Sequence, residues 1–177
     1  MDIFQVIRDR RSIRKYVDKE VEQEKVKQVL DAARLAPSWK NKQCWRFLVL
    51  RDRHRRDLLM EAVPDENPAK KALAAAPVTI VLCADPRESD VENGIPYYVA
   101  DGAIAFEHIC LAAHALGLGT CWVGWYDEAK IKEAFGIPDP IKVIGFTPLG
   151  YPDQDPKPRP RKKLDDIVHY DVWPSHE

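Results

Sequence analysis

Val26-Lys27-Gln28-Val29-Leu30-Asp31-Ala32-Ala33-Arg34-Leu35-Ala36-Pro37-Ser38-Trp39-Lys40-Asn41-Lys42-Gln43-Cys44-Trp45-Arg46-Phe47-Leu48-Val49-Leu50 passes from one kind of element to another within 25 residues. Val26, Val29, Leu30 and Ala33 recur at i, i+3, i+4 and i+7, which predicts an amphipathic helix over 22–36. Pro37 stops it, because proline disfavours helical backbone in the residue before it. Residues 38–43 are polar and read as a loop, and 45–50 read as a strand.

The same mixture continues in both directions. Upstream, Ile3, Phe4, Val6 and Ile7 form one apolar helical face over 2–10. Downstream, helices are expected over 53–62 and 69–76, separated by a proline-containing loop over 63–68. Pro77 opens a run of β-branched residues, 78–83, that suits a buried strand. A loop over 85–96 leads into a long, largely apolar helix over 97–116, stopped by Gly117. A strand over 119–123, a helix over 128–135 ended by Gly136, and a strand over 141–149 complete the pattern. No repeat or linker interrupts it, so residues 1–177 read as one domain, α+β or α/β around one central sheet. Residues 153–177 read as a C-terminal arm. Its first part, 153–163, is proline-rich, carries no apolar face and must lie across something to be ordered.

Composition removes several classes of function. With 45% hydrophobic and 31% charged residues the chain is an ordinary globular protein, and a net charge of -1 argues against a nucleic-acid binder. Residues 1–14 carry charge throughout, unlike a signal peptide, and the apolar stretch 100–116 is broken by Asp101, Glu107, His108 and His114. A cytoplasmic protein without a membrane span is expected. Cys44, Cys83, Cys110 and Cys121 form no C-x-x-C pair, which argues against a metal site and leaves them as small buried hydrophobes. His108 and His114 point to different faces of their helix. No Ser–His–Asp or Cys–His arrangement is suggested by local motifs.

Two basic clusters stand at opposite ends: Arg10-Arg11-Ser12-Ile13-Arg14 and Lys157-Pro158-Arg159-Pro160-Arg161-Lys162-Lys163. The guanidinium fork matches phosphate oxygens, so a fold that joins the two ends makes a pocket for a phosphate dianion. The alternative is two solvated surface runs.

Four segments in order resemble the nitroreductase family of flavin-dependent NAD(P)H oxidoreductases. They are Arg10-Arg11-Ser12-Ile13-Arg14, the stretch from Ala36 to Phe47, Gly117-Leu118-Gly119-Thr120-Cys121-Trp122-Val123-Gly124, and Pro158-Arg159-Pro160-Arg161-Lys162-Lys163-Leu164. The resemblance implies an α+β, α/β/α sandwich with a mostly antiparallel central sheet flanked by helices. It also implies an intertwined homodimer with FMN in each of two interface pockets. Hydride would come from NAD(P)H, and a nitroaromatic, quinone or flavin-type acceptor would follow in a ping-pong cycle. Some members instead dehalogenate, oxidise peptide rings or fragment flavin, and a flavin-binding module without turnover is a further alternative.

Carried onto this chain, the resemblance gives the FMN phosphate to Arg10, Ser12, Arg159 and Arg161, with Arg11 adding donors. It puts Arg14 near the pyrimidine edge of the ring, where a cation favours the reduced form. Pro37, Ser38, Trp39 and Asn41 match the loop that reaches the flavin from the partner subunit, and Val123 and Gly124 match backbone running along the ring. Trp39 stands where many members carry a small residue, and Cys44 replaces the usual proline. Trp125 and Tyr126 either wall the pocket or belong to the core. Asn67 with Lys70 or Lys71 echoes an Asn–Lys flavin contact of larger relatives. The 97–116 helix either helps form the dimer core or is buried in its own subunit.

Overall fold

A computed structural model describes residues 2–174. Helix α1 spans Ile3–Asp9, and the Asp2 carboxylate caps it by accepting the N–H groups of Phe4 and Gln5. Helix α2 spans Gln23–Arg34 and buries Val26, Val29 and Ala33, the face predicted from spacing. A single 3-10 turn, Trp39–Asn41, then leads into strand β1, Trp45–Leu50. Helices α3, Arg53–Glu61, and α4, Lys70–Ala75, precede strand β2, Val78–Ala84.

The 85–96 segment is more ordered than a loop. Strands β3, Val91–Glu92, and β4, Ile95–Pro96, pair as a hairpin across Asn93 and Gly94. Both turn residues have positive φ, 53° and 77°, which matches the twist of a tight hairpin. Helix α5, Tyr97–Ala115, follows directly, then strand β5, Gly119–Thr120, helix α6, Glu128–Phe135, and strand β6, Lys142–Gly150. Strand β5 is shorter than expected because the Cys121 N–H turns to the Thr147 hydroxyl at 2.9 Å. The chain rejoins the sheet at Val123, which bridges to Phe146.

The sheet order is β1-β2-β6-β5, antiparallel throughout, with β2 buried along its whole length. Its two faces carry separate apolar clusters. Ile80 and Leu82 pack with Val29 of α2 and Phe106 and Ile109 of α5. Val81 and Cys83 face Leu59, Leu73 and Ile131, from α3, α4 and α6. The architecture is therefore the expected α/β/α sandwich.

Helix α5 is apolar on more than one side. Gly102, Ala105, Phe106, Ile109 and Ala113 are buried in its own subunit, while Val99 and Ile104 remain exposed. Ile3, Phe4 and Ile7 on α1 are exposed too, as are Leu164, Ile167, Tyr170, Val172 and Trp173 of the arm. Among the described residues, no helix is long and apolar enough to cross a membrane.

Candidate functional site

The two basic clusters meet. The Ile13 N–H donates to the Thr120 carbonyl at 2.8 Å, the Val17 N–H to Tyr151 O at 2.9 Å, and the Asp153 N–H to Lys15 O at 2.9 Å. The segment after α1 is thereby stitched along β5 and the end of β6, and the arm departs beside it. Two glycines permit the approach. A Cβ on Gly119 would lie 2.7 Å from the Ile13 side chain, and one on Gly150 would lie 2.9 Å from Tyr16 Cδ1.

The result is a cavity of about 230 Å³. Arg10, Arg11, Ser12 and Arg14 line one side, and Gln154, Pro156, Lys157, Arg159 and Arg161 line the other. Arg10 pairs with Glu107 of α5 at 3.5 Å. Arg11 donates to the carbonyls of Arg8 and Arg10, closing the C-terminus of α1. Among the described residues, none of Arg11, Arg14, Lys157, Arg159 and Arg161 is paired with a carboxylate. Like charges gathered in one concavity repel, and a phosphate dianion relieves that repulsion through charge-assisted hydrogen bonds. The donor set therefore fits a phosphate-bearing ligand.

Pro37, Ser38, Trp39 and Asn41 lie elsewhere in the subunit and line no part of this cavity. Their loop is tied to the start of α5. The Trp39 N–H donates to Asp101 Oδ1 at 2.8 Å, and its indole N–H to Asp90 Oδ2 at 2.7 Å. Its ring lies against Tyr97 with centroids 4.1 Å apart. Asp101 is 2% exposed, and its other oxygen faces the Cys44 thiol at 3.7 Å. The Ser38 hydroxyl accepts the Gln43 N–H at 2.9 Å, so it closes the loop. Lys40, Asn41 and Gln43 all have left-handed backbone, with φ of 48°, 56° and 53°. Asp90 and Asp101 are the residues that sequence reasoning missed. Asp101 had a signal, a carboxylate inside an apolar helical run.

Val123 is buried and exchanges two backbone hydrogen bonds with Phe146. Gly124 is exposed, and a Cβ there would meet Trp122 only at ordinary contact distance, so the fold alone does not demand glycine. Tyr126 is half-buried and packs against the core, its ring tilted 47° to that of Phe146 and its hydroxyl donating to Val143 O at 2.8 Å, whereas Trp125 is 56% exposed. Asn67 is buried and structural: it donates to Trp125 O and accepts the Ala69 N–H. Lys70 bonds Asp65 and the Val63 carbonyl, while Lys71 is exposed. All four cysteines are buried, as expected, and burial pushes the thiols of Cys83 and Cys110 up to about 11.

The nitroreductase family profile matches residues 7–151. A Methanothermobacter thermautotrophicus protein, provisionally named NADH dehydrogenase/NAD(P)H nitroreductase, is 38% identical over 98% of this chain and 88% of its own. The crystal structure of a nitroreductase family protein from Clostridium novyi NT superposes with a TM-score of 0.83 at 40% identity, covering 86% of this chain and 87% of that one. An FMN-dependent nitroreductase from Clostridium difficile R20291 gives 0.84 at 32% identity, with 96% and 99% covered. The chain belongs to the nitroreductase family. It stands with them among the flavin-dependent NAD(P)H oxidoreductases.

Proposed function

We propose that the chain binds FMN and uses it to pass reducing equivalents from NAD(P)H to a small organic acceptor. The observation that carries this reading is the cavity in which Arg10, Ser12 and Arg14 face Arg159 and Arg161. The FMN dependence of the similar Clostridium difficile protein supports the choice of cofactor. FMN, when bound, supplies a ring that accepts hydride from NAD(P)H and returns electrons to a nitroaromatic, quinone or flavin-type acceptor in a second half-reaction.

The chain's own work is to hold charge and exclude water. Arg10, Ser12, Arg159 and Arg161 hold the phosphate, with Arg11 as a wall. Arg14 would set a fixed positive charge at the edge of the ring that becomes electron-rich, raising its reduction potential. Val123 and Gly124 would supply backbone beside the ring. Pro37, Ser38, Trp39 and Asn41 would reach the site from a second copy of the chain, as the family resemblance implies. A homodimer of this kind covers the exposed apolar side chains of α1, α5 and the arm.

The test is a visible absorption spectrum of purified protein before and after anaerobic NADH, then NADPH. Bound flavin that bleaches and is reoxidised by an added acceptor is expected. Bound flavin that neither donor bleaches identifies a binding module without turnover. A colourless protein that takes up no FMN on reconstitution overturns the assignment.

A further inference from the structure

Six of the nine residues that line the cavity between the chain ends are cations, and none is a carboxylate. Among the described residues, Glu107 is the one carboxylate within 4.0 Å of any of them, beside Arg10. A phosphate monoester brings about two negative charges. With Arg10 matched by Glu107 and about two more cations by the monoester, about half of the set keeps no counter-charge. The other arginine-rich cavity, at Arg51, Arg53 and Arg56, is balanced differently, because Asp18 and Glu20 stand on its wall.

The surplus lies on residues that the FMN reading leaves with little to do. Arg11 donates through Nη1 to the carbonyls of Arg8 and Arg10, at 2.6 and 2.7 Å. Those bonds fix its guanidinium and leave Nε and Nη2 without a hydrogen bond among the described residues. Opposite, Pro156, Pro158 and Pro160 alternate with Lys157, Arg159 and Arg161. A fixed φ at every second residue holds the three cations in a preset array. Asp153 and Asp155 belong to the same segment but line no part of the cavity. Gln154, between them, does line it and is half-buried, and its side-chain amide makes no hydrogen bond among the described residues.

We propose that this cavity is a diphosphate site, in which Arg11, Gln154 and Lys157 receive a second phosphoryl group beside the first. The ligand is a terminal diphosphate, inorganic pyrophosphate or a nucleoside diphosphate. A diphosphate inside a dinucleotide carries one charge on each phosphoryl group, no more in total than the FMN monoester. A terminal diphosphate adds a further charge and further oxygens, which is what the unmatched cations call for. Such anions compete with FMN for the flavin-free chain, so cofactor loading responds to their supply. That competition rests on the reading that FMN places its phosphate here.

The experiment is calorimetric titration of the full-length chain freed of flavin, at fixed ionic strength, with orthophosphate, pyrophosphate and ADP. One added charge-assisted hydrogen bond is worth about tenfold or more in affinity, so pyrophosphate is expected to bind at least about tenfold more tightly than orthophosphate. Lys157→Gln removes a side chain that bonds to nothing among the described residues, and should abolish most of that gain. Lys162→Gln removes an arm cation outside the cavity and should leave the gain intact. Pyrophosphate should raise the apparent Kd for FMN, read by flavin fluorescence, in proportion to its own occupancy. ADP that binds as tightly as pyrophosphate assigns the site to nucleoside diphosphates, and much weaker ADP assigns it to the inorganic ion; both uphold the proposal. It is overturned by a gain below about tenfold, by a gain that survives in Lys157→Gln or is lost equally in Lys162→Gln, or by FMN affinity that saturating pyrophosphate leaves unchanged. Protein that shows the pyrophosphate pattern but never takes up FMN sinks the flavin reading alone.

Discussion

Replacing Arg10 and Arg161 together by Gln removes two cations from opposite walls of the cavity while keeping most of each side chain. The stability cost is small by the contacts each makes. Arg10 has one partly exposed ion pair, with Glu107, a type worth about 0–1 kcal/mol. Among the described residues, Arg161 bonds only to the neighbouring carbonyls of Arg159 and Pro160, at 3.3 and 3.2 Å. A fall in Tm of less than about 4 °C follows for a chain of this length. The binding cost is larger. Each charge-assisted hydrogen bond to phosphate contributes about 1.5–3 kcal/mol, so losing two costs about 3–6 kcal/mol, a weakening of FMN affinity by roughly 10²- to 10⁴-fold. Riboflavin, the same ring and ribityl chain without the phosphate, serves as the control. Fluorescence titration of apoprotein should show FMN affinity collapsing in the double variant while riboflavin affinity stays put. Equal losses for both ligands, or unchanged FMN affinity, would refute the phosphate assignment.

Arg14→Gln should lower the two-electron potential of bound FMN by about 30 mV or more, since 1.4 kcal/mol corresponds to about 30 mV for two electrons, while FMN affinity changes little. Spectroelectrochemistry reads this, and an unmoved potential removes the proposed role. Gly119→Ala drives a methyl group against Ile13 at a contact of 2.7 Å. It should destabilise the protein by about 1–3 kcal/mol in denaturant titration and weaken FMN binding by displacing Ser12. The thiols of Cys83 and Cys110, raised by burial from near 9 to about 11, should resist a thiol-specific chromogenic reagent at pH 8 until denaturant is added. Because the folded chain holds those protons more tightly than the unfolded one, their contribution to stability is intact below pH 9. It is lost progressively as pH rises from 9 towards 11, which thermal melts across that range will follow.

Local patterns in the sequence carried most of the fold. The spacing of Val26, Val29 and Ala33 marked the buried face of α2, and the β-branched run after Pro77 marked the central strand. Strand β5 was overestimated because a side-chain hydroxyl, Thr147, competes for the Cys121 N–H, and such competition has no local signature. The β3–β4 hairpin did have one, the Asn93-Gly94 pair, within a segment otherwise dominated by loop formers. At the site, the convergence of Arg10 with Arg161 was legible as two concentrations of charge in search of one counter-ion. The Trp39 anchors were not, because Asp90 and Asp101 act across the chain and neither lies in a recognisable motif. The apolar face of α1 was legible as a helix face but not as an exposed one. Periodicity identifies a side that seeks contact and is silent about whether its own subunit supplies it.

The stitching of residue 13 to residue 120 and of residue 153 to residue 15 has a consequence for biosynthesis. Arg161 emerges from the ribosome 151 residues after Arg10. The cavity therefore cannot exist on a nascent chain until the sheet is complete and the arm has come out. Ligand capture is in this sense a late event, a readout of finished folding rather than a template for it. A chain cut short before the arm would keep its sandwich core, which lies before residue 151, yet would have lost one whole wall of its anion cavity.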